Sequence, residues 1–174
     1  TYSPKPSATL VVPNEGDLVV SRSGQWVVSR LGDDLGKQVG YQLRSLTLTP
    51  AGNSYTVESS VLTHYCATGG TPDISYDERW LVFHHYVTAD DALSLGFTGS
   101  DDPDFKPYLS SGAANLYLLD LTTGESRRIT RMQPSQYALY PQFRSDGWLY
   151  FVVRTLGTTT EYVVATDAAL AADK

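Results

Sequence analysis

The sequence predicts an all-β protein of about three four-stranded antiparallel units. Three observations carry that reading. Strand-forming residues dominate: 12 of the 174 residues are Tyr, Val and Thr are plentiful, and amphipathic helical patterns are hard to find. The three tryptophans fall in three similar stretches, "SRSGQWVVS", "SYDERWLVF" and "FRSDGWLYF", each a tight polar turn followed by an apolar run. Those stretches recur along the chain as internal repeats.

The elements follow in order. In the first unit, residues 16–62, "GDLVVSRSGQWVVSRL" reads as strand, turn, strand. "YQLRSLTLT" and "SYTVESSVL" complete it across the turn "PAGN". The second unit, 63–131, opens with "TPDIS", the turn "YDE" and "RWLVFHHYV". After an insertion at 88–112 it closes with "ANLYLLDL", a turn at Thr123-Gly124 and "SRRIT". The third, 132–168, repeats the opening pair in "LYPQFRSDGWLYFVVRT" and adds "TEYVVATD", but offers no fourth strand. Residues 1–15 read as an extended arm, in which 8–12, "ATLVV", would serve as the outer strand of a neighbouring unit. The tail 169–174 reads as loose.

Trp opens the second strand of each unit, and "WLVF" and "WLYFVV" are continuous apolar runs. Such runs suit strands covered on both faces. Radial stacking of four-stranded blades covers strands in that way. At this point the chain resembles the TolB-like, WD-repeat-like β-propeller family. "PDISYDERWLVF" with "NLYLLDLTTGESRRIT", and again "PQFRSDGWLYFV", look like its repeat. The first unit matches only in "SRSGQWVVS". A closed propeller needs about four or more blades, so three imply a segment of a larger propeller. Val27, Leu149 and Phe151 are then expected to pack against another protein chain or another copy that completes it. A small open β-sandwich is the competing architecture.

The net charge of −6 and the small basic cluster Arg127, Arg128 and Arg131 argue against nucleic-acid binding. No apolar run reaches the length of a membrane span. One Cys allows no internal disulfide. The first residue is Thr1 rather than Met, which suggests proteolytic processing. With the family resemblance, this implies a periplasmic or extracellular bacterial location.

Two constellations stand out. His64, Cys66, His84 and His85 are predicted on one rim, where imidazoles and a thiolate would bind copper or zinc. His64 and Cys66 are expected in the loop entering the second unit. Adjacent His84 and His85 point to opposite faces of a strand, and structural histidines are the competing reading. The insertion carries Asp90, Asp91, Asp101, Asp102 and Asp104 with Phe97, Phe105 and Tyr108. It is too long for an ordinary hairpin connection. Its carboxylates would suit Ca²⁺, although "SDDPD" lacks the spacing of an EF-hand loop, and a solvated acidic loop is the reading set against it. Its aromatics point to a loop that docks on a partner or covers the propeller face.

Asp73, Asp77 and Glu78 read as turn residues bonded to their local backbone. No nucleophile elbow, phosphate loop or zinc-protease motif occurs, and Thr1 has no partner motif that would make it a nucleophile. The leading expectation is therefore a non-catalytic interaction or scaffold module. A copper- or zinc-binding oxidoreductase accessory, and the propeller lid of a larger hydrolase, are the alternatives.

Overall fold

The computed structural model describes residues 15–173. The predicted strand at 8–12 lies outside them. The architecture is all-β, with antiparallel four-stranded blades, and the chain divides into two compact units between Thr68 and Gly69.

The first unit holds β1 (Glu15–Val20), β2 (Trp26–Gly32), β3 (Gln38–Ser45), β4 (Thr47–Ala51), β5 (Ser54–Glu58) and β6 (Val61–Tyr65). Its main sheet runs β1-β2-β3-β6, a meander interrupted by the separate hairpin β4-β5. The two long strands predicted after β2 therefore each break in two. Ser45 and Ser60 form the joint: Ser45 N donates to Ser60 O at 2.8 Å, and Ser60 N donates to Ser45 Oγ at 3.1 Å. Beyond it, every residue of β4 and β5 is exposed. The β3–β6 ladder also carries the blade on to Tyr65, pairing His64 with Gln42. His64 thus sits in a strand and not in an entry loop.

The second unit holds β7 (Gly70–Ile74), β8 (Trp80–Tyr86), β9 (Ala114–Asp120), β10 (Ser126–Arg128), β11 (Gln136–Phe143), β12 (Leu149–Thr155) and β13 (Glu161–Thr166). β7 to β10 make a four-stranded antiparallel blade. β11 to β13 follow as a meander, joined to β9 by one parallel bridge, Tyr137 with Ala114. The hydrophobic core lies between these two blades. Trp80, Val82, Leu116 and Leu118 face Ala138, Phe143, Leu149 and Phe151. The alternate residues Leu81, Phe83 and Leu119 are buried as well. The run "WLVF" is thus covered on both faces, as its composition implies.

Leu149 and Phe151 consequently do not await another chain; they complete this internal core. The blade's other face carries half-buried Val152 and exposed Val163 instead. The tail is also not loose where described. Ala169 enters the core, and Arg127 Nη2 donates to Ala168 O at 2.9 Å.

The three turns share one geometry, yet the tryptophans do not share one position. Gly24, Glu78 and Gly147 all have positive φ, at 72°, 60° and 84°. Trp26 and Trp80 come two residues later, and each donates its backbone N–H to a serine that opens the turn, Ser21 and Ser75. Trp148 follows Gly147 directly and donates to Asp146 Oδ1, as Arg79 does to Asp77. Leu149 holds the place of Trp80. Trp80 is buried between the blades beneath two guanidinium groups, Arg79 and Arg127, 4.8 and 5.6 Å from its ring. Trp148 lies in solvent.

Candidate functional site

β8 ends in three residues whose side chains alternate across the sheet. His84 is buried, and its Nδ1 lies 2.7 Å from Thr71 Oγ1. His85 turns to the opposite face, where Nε2 lies 2.9 Å from Asp91 Oδ2 and the ring stands edge-on to Tyr117. Tyr86 returns to the first face and emerges half exposed. It stands edge-on to His84, with Tyr137 next to it.

Two residues beside this rim are held in unusual backbone conformations. Thr71 and Tyr140 both have positive φ, 44° and 54°, and each precedes a proline, Pro72 and Pro141. They occupy the same place in successive blades, at bulges in β7 and β11. For a β-branched or bulky residue such a backbone costs on the order of 1–3 kcal/mol, a strain that concentrates at binding sites. At Tyr140 it leaves a half-exposed ring edge-on to His84. Asp73, next to Pro72, bonds far from its own turn: its Oδ2 accepts from Phe143 N at 2.7 Å and ties β7 to β11. Beyond the local role expected for it, Asp73 thus bridges two blades.

The insertion leaves from this rim as a folded element. A 3-10 turn, Ala89–Asp91, is followed by the short helix α1 (Lys106–Ser111). Asp91 Oδ2 accepts from Thr88 N at 2.7 Å and Thr88 Oγ1 at 2.9 Å while also meeting His85. Burial pushes the Asp91 carboxyl up, but these bonds outweigh it and hold it below the ordinary aspartate range. Asp102 does the same at the next bend, accepting from Thr98 N, Thr98 Oγ1 and Asp104 N, and its carboxyl is likewise lowered. Phe97, ahead of the second bend, clusters with Phe105 and Tyr108 beyond it, with ring centroids 5.2–5.8 Å apart, and Phe105 is fully buried. The far end is fastened by Tyr137 Oη, which donates to Ser111 O at 2.8 Å, and by Ser135 N, which donates to Gly112 O. Gly112 has φ 71°, and a side chain there would strike the Tyr137 hydroxyl.

The predicted residues are thus distributed as follows. Phe97, Phe105, Tyr108, Asp91 and Asp102 build the insertion, while Asp90, Asp101 and Asp104 stand exposed on it. The insertion also displays Leu93 and Leu109, 73% and 44% exposed. His84 and His85 face apart with separate partners. His64 Nε2 accepts from Gln42 Nε2 at 2.6 Å, while Gln42 Oε1 accepts from Arg44. Cys66 is an exposed thiol. Among the described residues, no three His, Cys, Asp or Glu side chains gather as metal ligands. Sequence reasoning missed Thr71, Tyr86, Tyr137 and Tyr140. The shared X-Pro step at residues 71–72 and 140–141 was the available signal.

No family model and no curated protein matches this chain. Among solved structures it is similar to TolB from Acinetobacter baumannii, with a TM-score of 0.37 and 11% identity. That alignment covers 88% of this chain and 41% of TolB, so the chain spans under half of TolB's length. No helix among the described residues is long and apolar enough to cross a membrane.

Proposed function

We propose that this chain is a non-catalytic β-propeller segment that acts as a protein–protein interaction or scaffold module, with residues 88–112 as its binding element. One observation carries the reading. The insertion buries Phe105 completely yet leaves Leu93 and Leu109 in solvent on a frame fixed at both ends. A loop held rigid around its own core, with apolar side chains turned outward, is preorganised for a partner and loses little entropy on binding. The half-exposed Tyr86 and Tyr140 beside it belong to a residue type enriched at interface hot spots. The repeat resemblance supports a periplasmic or extracellular bacterial setting.

A photo-crosslinking residue placed at Leu93, Leu109 or the exposed Leu35 of the first unit tests this in the producing cell. A discrete protein adduct should form from positions 93 and 109 and not from 35. No adduct at 93 and 109, or equal adducts at all three, rules the reading out.

A further inference from the structure

Among the described residues three strands of the second unit, β7, β10 and β13, pair on one side only, and the last two differ in kind. β10 is the outer strand of its blade: three residues, Ser126–Arg128, all polar, with two consecutive arginines. Short, charged edges of this type resist pairing with other strands. β13 has six residues, "EYVVAT", with no proline and no lysine or arginine. It pairs with β12 on one side only among the described residues. Tyr162 and Val163 are 62% and 75% exposed. The chain beyond β13 does not fold back over it. Arg127 holds Ala168 O and Ala169 is buried in the core, which draws that segment towards Trp80.

We propose that β13 is a dimerisation edge, pairing antiparallel with β13 of a second copy about a twofold axis at Val163. A twofold axis perpendicular to the sheet keeps each face on the same side, so only certain registers close. Centred on Val163, the pairing sets Val163 against its own counterpart, Tyr162 against Val164 and Glu161 against Ala165. The first two are β-branched and aromatic pairs, and no like charges are opposed. Centred on Val164, the pairing would instead bring Glu161 opposite Asp167, and like charges directly opposite are destabilising. The Val163-centred register thus pairs all of residues 161–165 with no like charges opposed, whereas centring on Tyr162 would leave Ala165 and Thr166 beyond the far end of the partner strand. This pairing is independent of the partner assigned to the insertion, and a failed crosslink at Leu93 leaves it standing.

Disulfide trapping tests it in a Cys66→Ser background, which removes the exposed native thiol. Under mild oxidation Val163→Cys should crosslink into a dimer, because the two sulfurs face each other across the axis. Ala165→Cys, opposite Glu161, should not. In light scattering the unmodified chain should show twice the monomer mass with rising concentration, and Val163→Lys should remain monomeric, with the thermal midpoint of the unmodified chain at dilutions where both are monomers. Equal trapping at 163 and 165, a dimer that survives Val163→Lys, or a monomer at the highest soluble concentration would each overturn the proposal. A monomer whose 161–166 amides exchange slowly would show another segment on that edge, and it too counts against the second copy.

Discussion

Two excursions leave the blades, and they are built in opposite ways. The β4–β5 hairpin of the first unit is regular: five pairs in register around Gly52-Asn53, where Gly52 alone takes positive φ, as a type II′ turn requires. It has no core, because all ten of its strand residues are exposed. The 88–112 insertion of the second unit has no strand and only a 3-10 turn and one short helix, yet it buries Phe105 and fixes both of its ends. The difference shows where rigidity comes from. A two-stranded ribbon without a packed face is marginal in water. An irregular loop with three packed aromatic rings and two multiply bonded carboxylates holds its shape. Persistence of a surface for recognition follows side-chain burial, not secondary structure.

The largest effect should come from Phe105→Ala. Emptying a fully buried aromatic site costs about 3–5 kcal/mol, enough to unfold the insertion while both blades of its unit persist. Insertion amides such as Lys106 and Tyr108 should lose hydrogen-exchange protection, and those of β8 and β9 should keep theirs. Next comes acid. The Asp91 carboxyl is lowered in the folded chain, so its contribution is complete above the ordinary aspartate value of about 4 and disappears as pH falls through the folded value. Below pH 4 the Thr88 amide should therefore lose protection relative to its intrinsic exchange rate, and Asp91→Asn should remove much of that pH dependence. Tyr137→Phe should cost about 1 kcal/mol through the lost bond to Ser111 O, read as a lower chemical-denaturation midpoint. Tyr55→Ala in the exposed hairpin should change stability by less than about 0.5 kcal/mol. A large loss there would erase the contrast between the two excursions.

Much of the fold was legible because period-2 patterning and turn residues are local signals. The continuous run after Trp80 revealed a strand buried on both faces. The third tryptophan misled because the eye aligns tryptophans while the backbone aligns the residue of positive φ. Counting from the turn carboxylate separates them: Trp80 lies three residues after Asp77, and Trp148 only two after Asp146. That one-residue shift moves a side chain from core to solvent. The break at Ser45 and Ser60 was invisible because it rests on a serine bridge between strands, not on a proline or glycine. The aromatic content of the insertion was legible, but its fold was not. Whether Asp91 and Asp102 face solvent or cap the backbone depends on Thr88 and Thr98, three and four residues away, and on His85 across the loop. The opposed directions of His84 and His85 followed from strand alternation alone.

The central claim is that a partner reads the folded insertion and not merely its sequence. Crosslinking from position 93, compared between the wild-type chain and Phe105→Ala, tests it most directly, since the two differ at a side chain no partner can touch. A discrete adduct in the wild type that is lost when Phe105 is removed, with the blades still folded, is the predicted result. An undiminished adduct in Phe105→Ala would contradict the claim.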